Sequence, residues 1–584
     1  MAFEKPDYAD PNLEAGSMVD EKQHDYNHSH QSSVAPTLNE HDSPKNARRN
    51  TMSSVSTVEE AEPVEDYTEA QLAELAIEAG YESQLCANCK NPTQADLERI
   101  ITRTKTNKSA AGYNYVTWDG PDDPQNPRNM TFARRWAIVA TTGLMTFTVS
   151  FASSVFSTTT FVTAAKFNVS SEVMLLGLSL YVCGFAAGPM VWGPMSEAFG
   201  RSRPMFFGMV CFCIFQIPVA VATNLETIFI CRFLAGCFGS APLAILGGMF
   251  VDFMEPVERG VATAVFAGAV FAGPVAGPVM GSFITHSYLG WRWTAWITLI
   301  MGAFFTIVAY ITTPETYEPL LLRWKAERLR RETKDWTIHA RSEEDDLALS
   351  TVFSKYLLKP LQMIVAEPIL IILTLYMSLV YGILYLTFEA YPISFEFNRG
   401  WSPGLASLPF ISIFIGVVLA CAVIAVYTNT YYAKRMAITK RLNPEDRLPP
   451  MVAGSIILPI GLFWFAWTSN PHINPWPQII SGVFIGLGII LIFMSGVVYI
   501  IDVYLFNANS ATAINTFVRS LVGAGFPMFA SYMFEDLGVD WAASVLAFVC
   551  VALIPFPIIF WVFGKKIRSW SKFALVLDGP MPGH

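Results

Sequence analysis

No G-x-x-x-x-G-K-[ST] phosphate loop occurs anywhere in the chain, so direct nucleotide-driven work has no support in its residues. H-E-x-x-H and G-x-S-x-G are also missing, which removes the common constellations for metal or serine hydrolysis, and no enzyme is expected. Charge is scarce: Asp, Glu, Lys and Arg make up 15% of the 584 residues, against 52% hydrophobic. With a mean hydropathy of +0.38, that balance points to a membrane protein. There is no nucleic-acid footprint. Of nine cysteines, Cys183, Cys211, Cys213, Cys231, Cys237, Cys421 and Cys550 lie in apolar runs, where a thiol packs as a small hydrophobe, so no disulfide framework is expected. Cys86 and Cys89 have the spacing of half a zinc site without a second pair or a suitably placed His, and no metal is expected.

Long apolar runs are what the chain does have. A bilayer core about 30 Å thick needs roughly 20 apolar residues in a helix, because every backbone amide must be satisfied without water. Twelve stretches qualify: 134–157, 172–194, 204–222, 226–251, 261–284, 293–313, 366–388, 404–428, 450–468, 478–501, 514–534 and 541–563. The polar segment beginning "PETYEPLLLRWKAERLRRET" divides them six and six. The spacing therefore predicts an acidic, disordered tail over 1–130, a six-helix bundle over 131–315, a central loop over 316–365, a second bundle over 366–565 and a short tail over 566–584. "TEAQLAELAIEAG" and "QADLERIITR" in the tail could each form a short amphipathic helix.

Basic residues set the orientation, since Lys and Arg are retained on the cytoplasmic side. Arg201, Arg203, Arg259, the run from Arg323 to Arg331, Lys434, Arg435, Lys440 and Arg441 share one set of loops. Arg134 and Arg135 before the first span and Lys565, Lys566 and Arg568 after the last join them, whereas the other loops offer little beyond Lys166, Arg292 and Arg399. Both termini and the central loop are expected in the cytoplasm. "NVS" at Asn168, in a short outer loop, is a candidate glycan acceptor.

A few residues break the apolar rule. Arg232 stands inside span 4, where a charge costs about 2.5–3.5 kcal/mol, so it should face a wet cavity or a partner rather than lipid. Asp252 closes the same span and reads either as functional or as an interfacial carboxylate. Glu389 lies among Tyr381, Tyr385 and Tyr391 at the outer end of span 7; it is either a site for a cationic, planar or amphiphilic substrate or an acid beside an aromatic belt. Asp502 and Tyr504 end span 10 while Asn515 and Arg519 open span 11, where a gate and a surface anchor look alike. In "GAVFAGPVAGPVMG" of span 5, Gly268, Gly273, Gly277 and Gly281 give a close-packing helix face, and Pro274 and Pro278 bend the helix.

These residues form a known pattern. The chain resembles the major facilitator superfamily, and within it the twelve-span drug:proton antiporters of fungi. "GPMSEAFGRSR" is similar to the loop between spans 2 and 3 of that superfamily, with Gly193, Glu197, Gly200, Arg201 and Arg203 at matching positions, Glu where Asp is commoner, and Ser202 between the basic pair. "RFLAGCFGSAP" resembles the span-4 motif with its central Arg232, and "GAVFAGPVAGP" the span-5 motif of antiporters. "WDGPDDPQNPRNM", "PETYEPLLLRWKAERLRRET" and "NPEDRLPP" resemble further segments of the fungal group. The resemblance implies an all-α integral membrane fold of two six-helix bundles rocking about a central cavity. It also implies a monomer in the plasma or vacuolar membrane, exporting small amphiphilic compounds such as azoles, toxins, metabolites or polyamines. Its partners would be lipid, substrate and proton, with no cofactor beyond the proton gradient. On this reading Arg232 organises the cavity and proton site with Tyr381, Tyr385 and Asn515. Glu389 adds a titratable or cation-binding carboxylate, and the span-5 glycines seal the halves. Glu197, at the inner end of span 2, would latch onto the start of span 11, with Arg201 and Arg203 anchoring the turn and Gly193 and Gly200 allowing a tight bend. Asp252 and Arg519 belong to the same gate. An uptake permease or uniporter for a nutrient or organic acid, and a non-transporting nutrient sensor, are the alternative readings.

Overall fold

Apolar runs of this length fold into helices, because a helix satisfies its own backbone inside lipid. In the computed structural model, residues 114–120, 122–343, 359–439, 443–504 and 508–574 are described. They all fall in one compact unit, Asp66–His584, while the other unit, Met1–Glu65, lies outside them. Cys86, Cys89 and both candidate tail helices also lie outside the described residues.

Eleven of the described helices are long and apolar enough to cross a membrane. Spans 1 to 6 are Phe132–Phe167, Ser171–Phe199, Ser202–Val221, Leu225–Phe253, Glu258–Thr285 and Arg292–Thr312. Spans 7 to 10 are Pro368–Asn398, Pro403–Arg435, Pro444–Trp467 and Pro475–Val503. The last stretch, Ser510–Arg568, is twice the needed length, and Gly538 with φ 74° breaks its helical path. A left-handed backbone costs glycine nothing, so this residue turns one run into spans 11 and 12. The bundle exterior is apolar, with Ile307, Tyr310, Val426 and Phe548 all exposed, as lipid contact requires.

The two halves pack alike. Span 1 lies on spans 5 and 6 and span 2 on span 4; in the second half, span 7 lies on the Ala508–Leu553 helix and span 8 on span 10. Between halves, span 2 meets the Ala508–Leu553 helix and span 5 meets span 8. One apolar core draws on both halves and includes Val182, Phe271, Tyr385, Phe493 and Ile514.

The boundary at residue 130 shifts. Asn114–Tyr115 pairs in parallel with Ile338–His339, so the segment ahead of span 1 is built onto the central loop, whose helix is Glu318–Thr333. The Trp118 indole N–H donates to Glu318 at 2.7 Å, and the Lys325 ammonium reaches Asp119 at 2.8 Å and Asp123 at 3.3 Å. Backbone N–H groups of Gln125 and then Asp119 hold the Asp123 carboxyl below the usual range, with Lys325 adding to them. Burial pushes the Glu343 carboxyl up, but its paired bonds from Arg330 outweigh that and leave it lowered. Polar composition hid this clamp: ion pairs and an indole bond hold it together where there is little apolar burial.

Candidate functional site

The site is built around Arg232, seven residues into the Leu225–Gly239 helix. Glycines bring its helix against span 2: a Cβ on Gly184 would meet the Phe233 carbonyl at 2.6 Å, and one on Gly236 would strike the Tyr181 carbonyl. Arg232 is thereby pressed inward and is only 3% exposed. It donates to the carbonyls of Gly177 at 2.6 Å, Ala152 at 3.2 Å and Ser153 at 3.4 Å, and its guanidinium lies over the rings of Phe156 and Tyr181. Carbonyl dipoles and ring faces hold the charge, and among the described residues no carboxylate contributes. It lines a cavity of about 10 Å³ with Gln216, Trp291, Thr294 and Thr298, at the limit for one water.

From there a polar path crosses to the other half. The Tyr385 hydroxyl donates to Ser153 Oγ at 3.3 Å and lies 3.3 Å from the hydroxyl of Tyr381. Tyr381 and Phe493 are near-parallel, 28° apart in plane, and the Arg519 guanidinium sits 4.9 Å and 4.5 Å from their ring centres. Gly523, one turn beyond Arg519, makes room: a Cβ there would meet the Tyr381 ring at 2.7 Å. Phe493 also packs edge-on against Phe271 of span 5. Glu389 follows Tyr381 and Tyr385 at helical spacing on the same face, is 7% exposed, and has no hydrogen-bond or ion-pair partner among the described residues.

The Major Facilitator Superfamily profile matches residues 142–527. The chain belongs to the Major Facilitator Superfamily. It is 50% identical over 481 residues to the citrinin biosynthesis cluster MFS transporter mrr1 of Monascus ruber, covering 82% of this chain and 96% of that one. It is 48% identical to the ascochitine biosynthesis cluster MFS transporter of Didymella fabae, over 79% of this chain and 89% of the other. With the cercosporin MFS transporter CTB4 of Cercospora nicotianae it shares 45% identity over 78% of this chain and 89% of the relative. Among solved structures, the proton:xylose symporter XylE superposes with a TM-score of 0.53 at 16% identity, covering 74% of this chain and 96% of the other, which shows the shared fold. The superfamily member described here is thus a multi-pass membrane transporter of the kind found in fungal secondary-metabolite clusters, and not an enzyme.

Within this transporter several expected residues stand elsewhere. Gly273, Gly277 and Gly281 pack on span 1 inside the first half, against Phe151, Ser154 and Thr158, and Ser154 Oγ donates to the Gly273 carbonyl. They do not seal the halves; Gly268 does face the second half, where a Cβ would meet Cys421 Sγ at 3.2 Å. Pro274 and Pro278 lie inside the unbroken Pro256–Thr285 helix. Asn515 is not in the cavity: its amide binds Thr374 at 3.1 Å and joins span 11 to span 7. Arg519 is not a boundary residue either. Its helix starts at Ala508, which puts Arg519 about 17 Å along it at 1.5 Å per residue. Glu389 lies in a helical stretch that runs on to Asn398, so an acid in a surface belt is excluded. Asn168 is exposed at the left-handed end of its helix, φ 54°.

The basic-loop face carries two clusters. In the first half, Arg201 Nε pairs with Asp252 at 3.1 Å, its Nη1 donates to Ser196 at 3.0 Å, and the guanidinium covers the Tyr317 ring. Glu315, just past span 6, accepts the backbone N–H groups of Arg201 at 2.8 Å and Ser202 at 3.1 Å. Gly200 has φ 89° and lies where a Cβ would meet Leu320 and Glu315, so the bend is its doing. Gly193 sits inside the span-2 helix with open space beside it and makes no bend. Arg203 covers the Trp324 ring of the central-loop helix. Glu197 ends span 2, near enough for its charge to act on Arg201; its contact with the start of span 11 stays an expectation.

In the second half, Arg447 Nε pairs with Asp502 at 3.1 Å and lies over the Tyr432 ring, and Arg259 of span 5 adds its charge to Asp502 from across the halves. Arg568 binds both oxygens of Glu445, at 2.8 and 3.0 Å. Buried Glu367 ties Tyr504, Ser571 and the backbone N–H groups of Lys572 and Phe573 to the start of span 7. Sequence reasoning quoted "PETYEP" and "NPEDRLPP" without assigning Glu315, Glu445 or Arg447. Their signal was a lone carboxylate or arginine where an apolar span meets a polar loop, a position a solvated charge fills equally well.

Proposed function

We propose that this transporter exports small amphiphilic metabolites across the plasma membrane by alternating access, in exchange for protons. The observation that carries the reading is Glu389, buried and unpartnered on the Tyr381–Tyr385 face that meets Arg232 through Ser153. A carboxyl in such a place changes charge readily when water reaches it, because desolvation and solvation favour opposite protonation states. When the halves rock apart on one side, Glu389 takes or releases a proton. When they close, the neutral form is the one the apolar interface tolerates. One proton moving inward through 100 mV supplies about 2.3 kcal/mol, enough to concentrate a neutral substrate roughly fiftyfold at equilibrium.

Export as the direction is supported by the relatives, which are named for biosynthesis clusters or, in one case, for cercosporin. Arg232 acts as the fixed charge that keeps the first half's side of the cavity polar. Glu197 is assigned the latch on the start of span 11. The test uses inside-out vesicles from a host lacking its own exporters and a panel of azoles, polyamines and aromatic acids. With an acidic lumen, at least one class accumulates, and a protonophore with a potassium shunt abolishes the accumulation. Accumulation unchanged after both gradients are collapsed would sink the coupling.

A further inference from the structure

We infer that the central site takes its substrate as a flat anion, with Arg519 binding the acidic group while the aromatic body lies along Tyr381 and Phe493. The inference rests on the proposed transport function and names its substrate class.

The argument starts from how a guanidinium is satisfied. Its two faces suit aromatic rings and its rim carries five N–H donors that need in-plane acceptors. At Arg519 the guanidinium lies 4.9 and 4.5 Å from the ring centres of Tyr381 and Phe493, while no hydrogen bond or ion pair among the described residues reaches the rim, and Nε is buried without a partner. Arg232 differs, since three carbonyls and two rings already serve it. Glu389 does not serve either arginine, as it makes no ion pair among the described residues. Among the described residues, the centre of the bundle therefore holds two guanidiniums without a carboxylate, and of these Arg519 is the one whose rim has no hydrogen-bond partner.

A planar, bidentate acceptor matches that rim best, so a carboxylate is the expected group. The Tyr381 and Phe493 rings beside Arg519 are near-parallel, which favours a flat aromatic body stacked beside the same fork. Export of an anion from a negative interior is also helped by the membrane potential. The sequence alone leaves a cationic, planar or amphiphilic substrate open at Glu389.

The test measures binding to the full-length protein in lipid nanodiscs, using naphthoate, its neutral amide and naphthylmethylammonium as probes of equal size. Naphthoate is expected to bind about tenfold more tightly than naphthamide, with the ammonium weakest. Arg519→Gln should remove the advantage of naphthoate while naphthamide binding stays, which also shows that the variant is folded; Arg519→Lys should retain part of it. Naphthoate binding no tighter than naphthamide, including no binding of either, overturns the inference. So does an ammonium that binds tightest and is lost in Glu389→Gln. Failure of the transport reading shows separately, as vesicle accumulation that ignores the gradients.

Discussion

The two halves solve one problem with opposite chemistry. Each holds a loop arginine on a carboxylate at the end of its fourth helix, Arg201 on Asp252 and Arg447 on Asp502. The sixth helix then differs. Past span 6, Glu315 accepts backbone N–H groups of the loop, whereas at the end of span 12 Arg568 donates to a loop side chain, Glu445. A backbone acceptor bond tolerates any loop side chain but demands one geometry, and Gly200 supplies it. A side-chain pair demands two matched charges and tolerates a shift of backbone. The loop facing the sixth helix is thus held through its backbone in the first half and through a charge pair in the second, where backbone N–H groups past span 12 are held by Glu367 at the start of span 7 instead.

The largest expected effect is from Arg201→Ala, which leaves Asp252 buried and unpaired; about 3–5 kcal/mol of stability should be lost, read as a drop in melting temperature in detergent. Arg447→Ala should cost less, because Arg259 still acts on Asp502. Equal losses would remove the cross-half role of Arg259. Next is the charge swap: Glu445→Arg alone should destabilise by about 2 kcal/mol and Arg568→Glu in the same chain should restore most of it. Glu315→Arg has no such rescue, since its partners are backbone amides, and a rescuing side chain anywhere in the loop would break the contrast. The smallest effect concerns the clamp ahead of span 1. Asp123 and Glu343 have carboxyls lowered in the fold, so their contribution is complete above the ordinary carboxylate range and is lost as pH falls through the lower folded values. Proteolysis of the central-loop helix should therefore accelerate only in strong acid; acceleration between pH 7 and 5 would assign the clamp to other groups.

Span number and the division into halves were legible because they follow from length and hydropathy. The chain runs that carry Arg232 and Glu389 announced themselves as charges in apolar surroundings. What sequence could not supply was rotation and depth. Gly273, Gly277 and Gly281 were recognisable as a close-packing face, but periodicity does not say which neighbour the face meets, and that neighbour is span 1. An apolar run beginning at 514 puts Arg519 near a boundary, whereas the helix begins six residues earlier through polar "ANSATA". Small polar residues are helix-compatible when neighbouring helices satisfy them, as Thr374 does for Asn515. The clamp built on Trp118 and Asp123 stayed hidden for the converse reason, since its pairs join partners some two hundred residues apart in the chain.

The central claim is that Glu389 is the proton-exchanging group, and Glu389→Gln tests it most directly. In inside-out vesicles, the best-transported compound of the panel is measured twice, as uphill accumulation driven by an acidic lumen and as gradient-free exchange of labelled for unlabelled compound. The account predicts that the variant loses accumulation and keeps exchange. Uphill accumulation at the wild-type level in Glu389→Gln would contradict it.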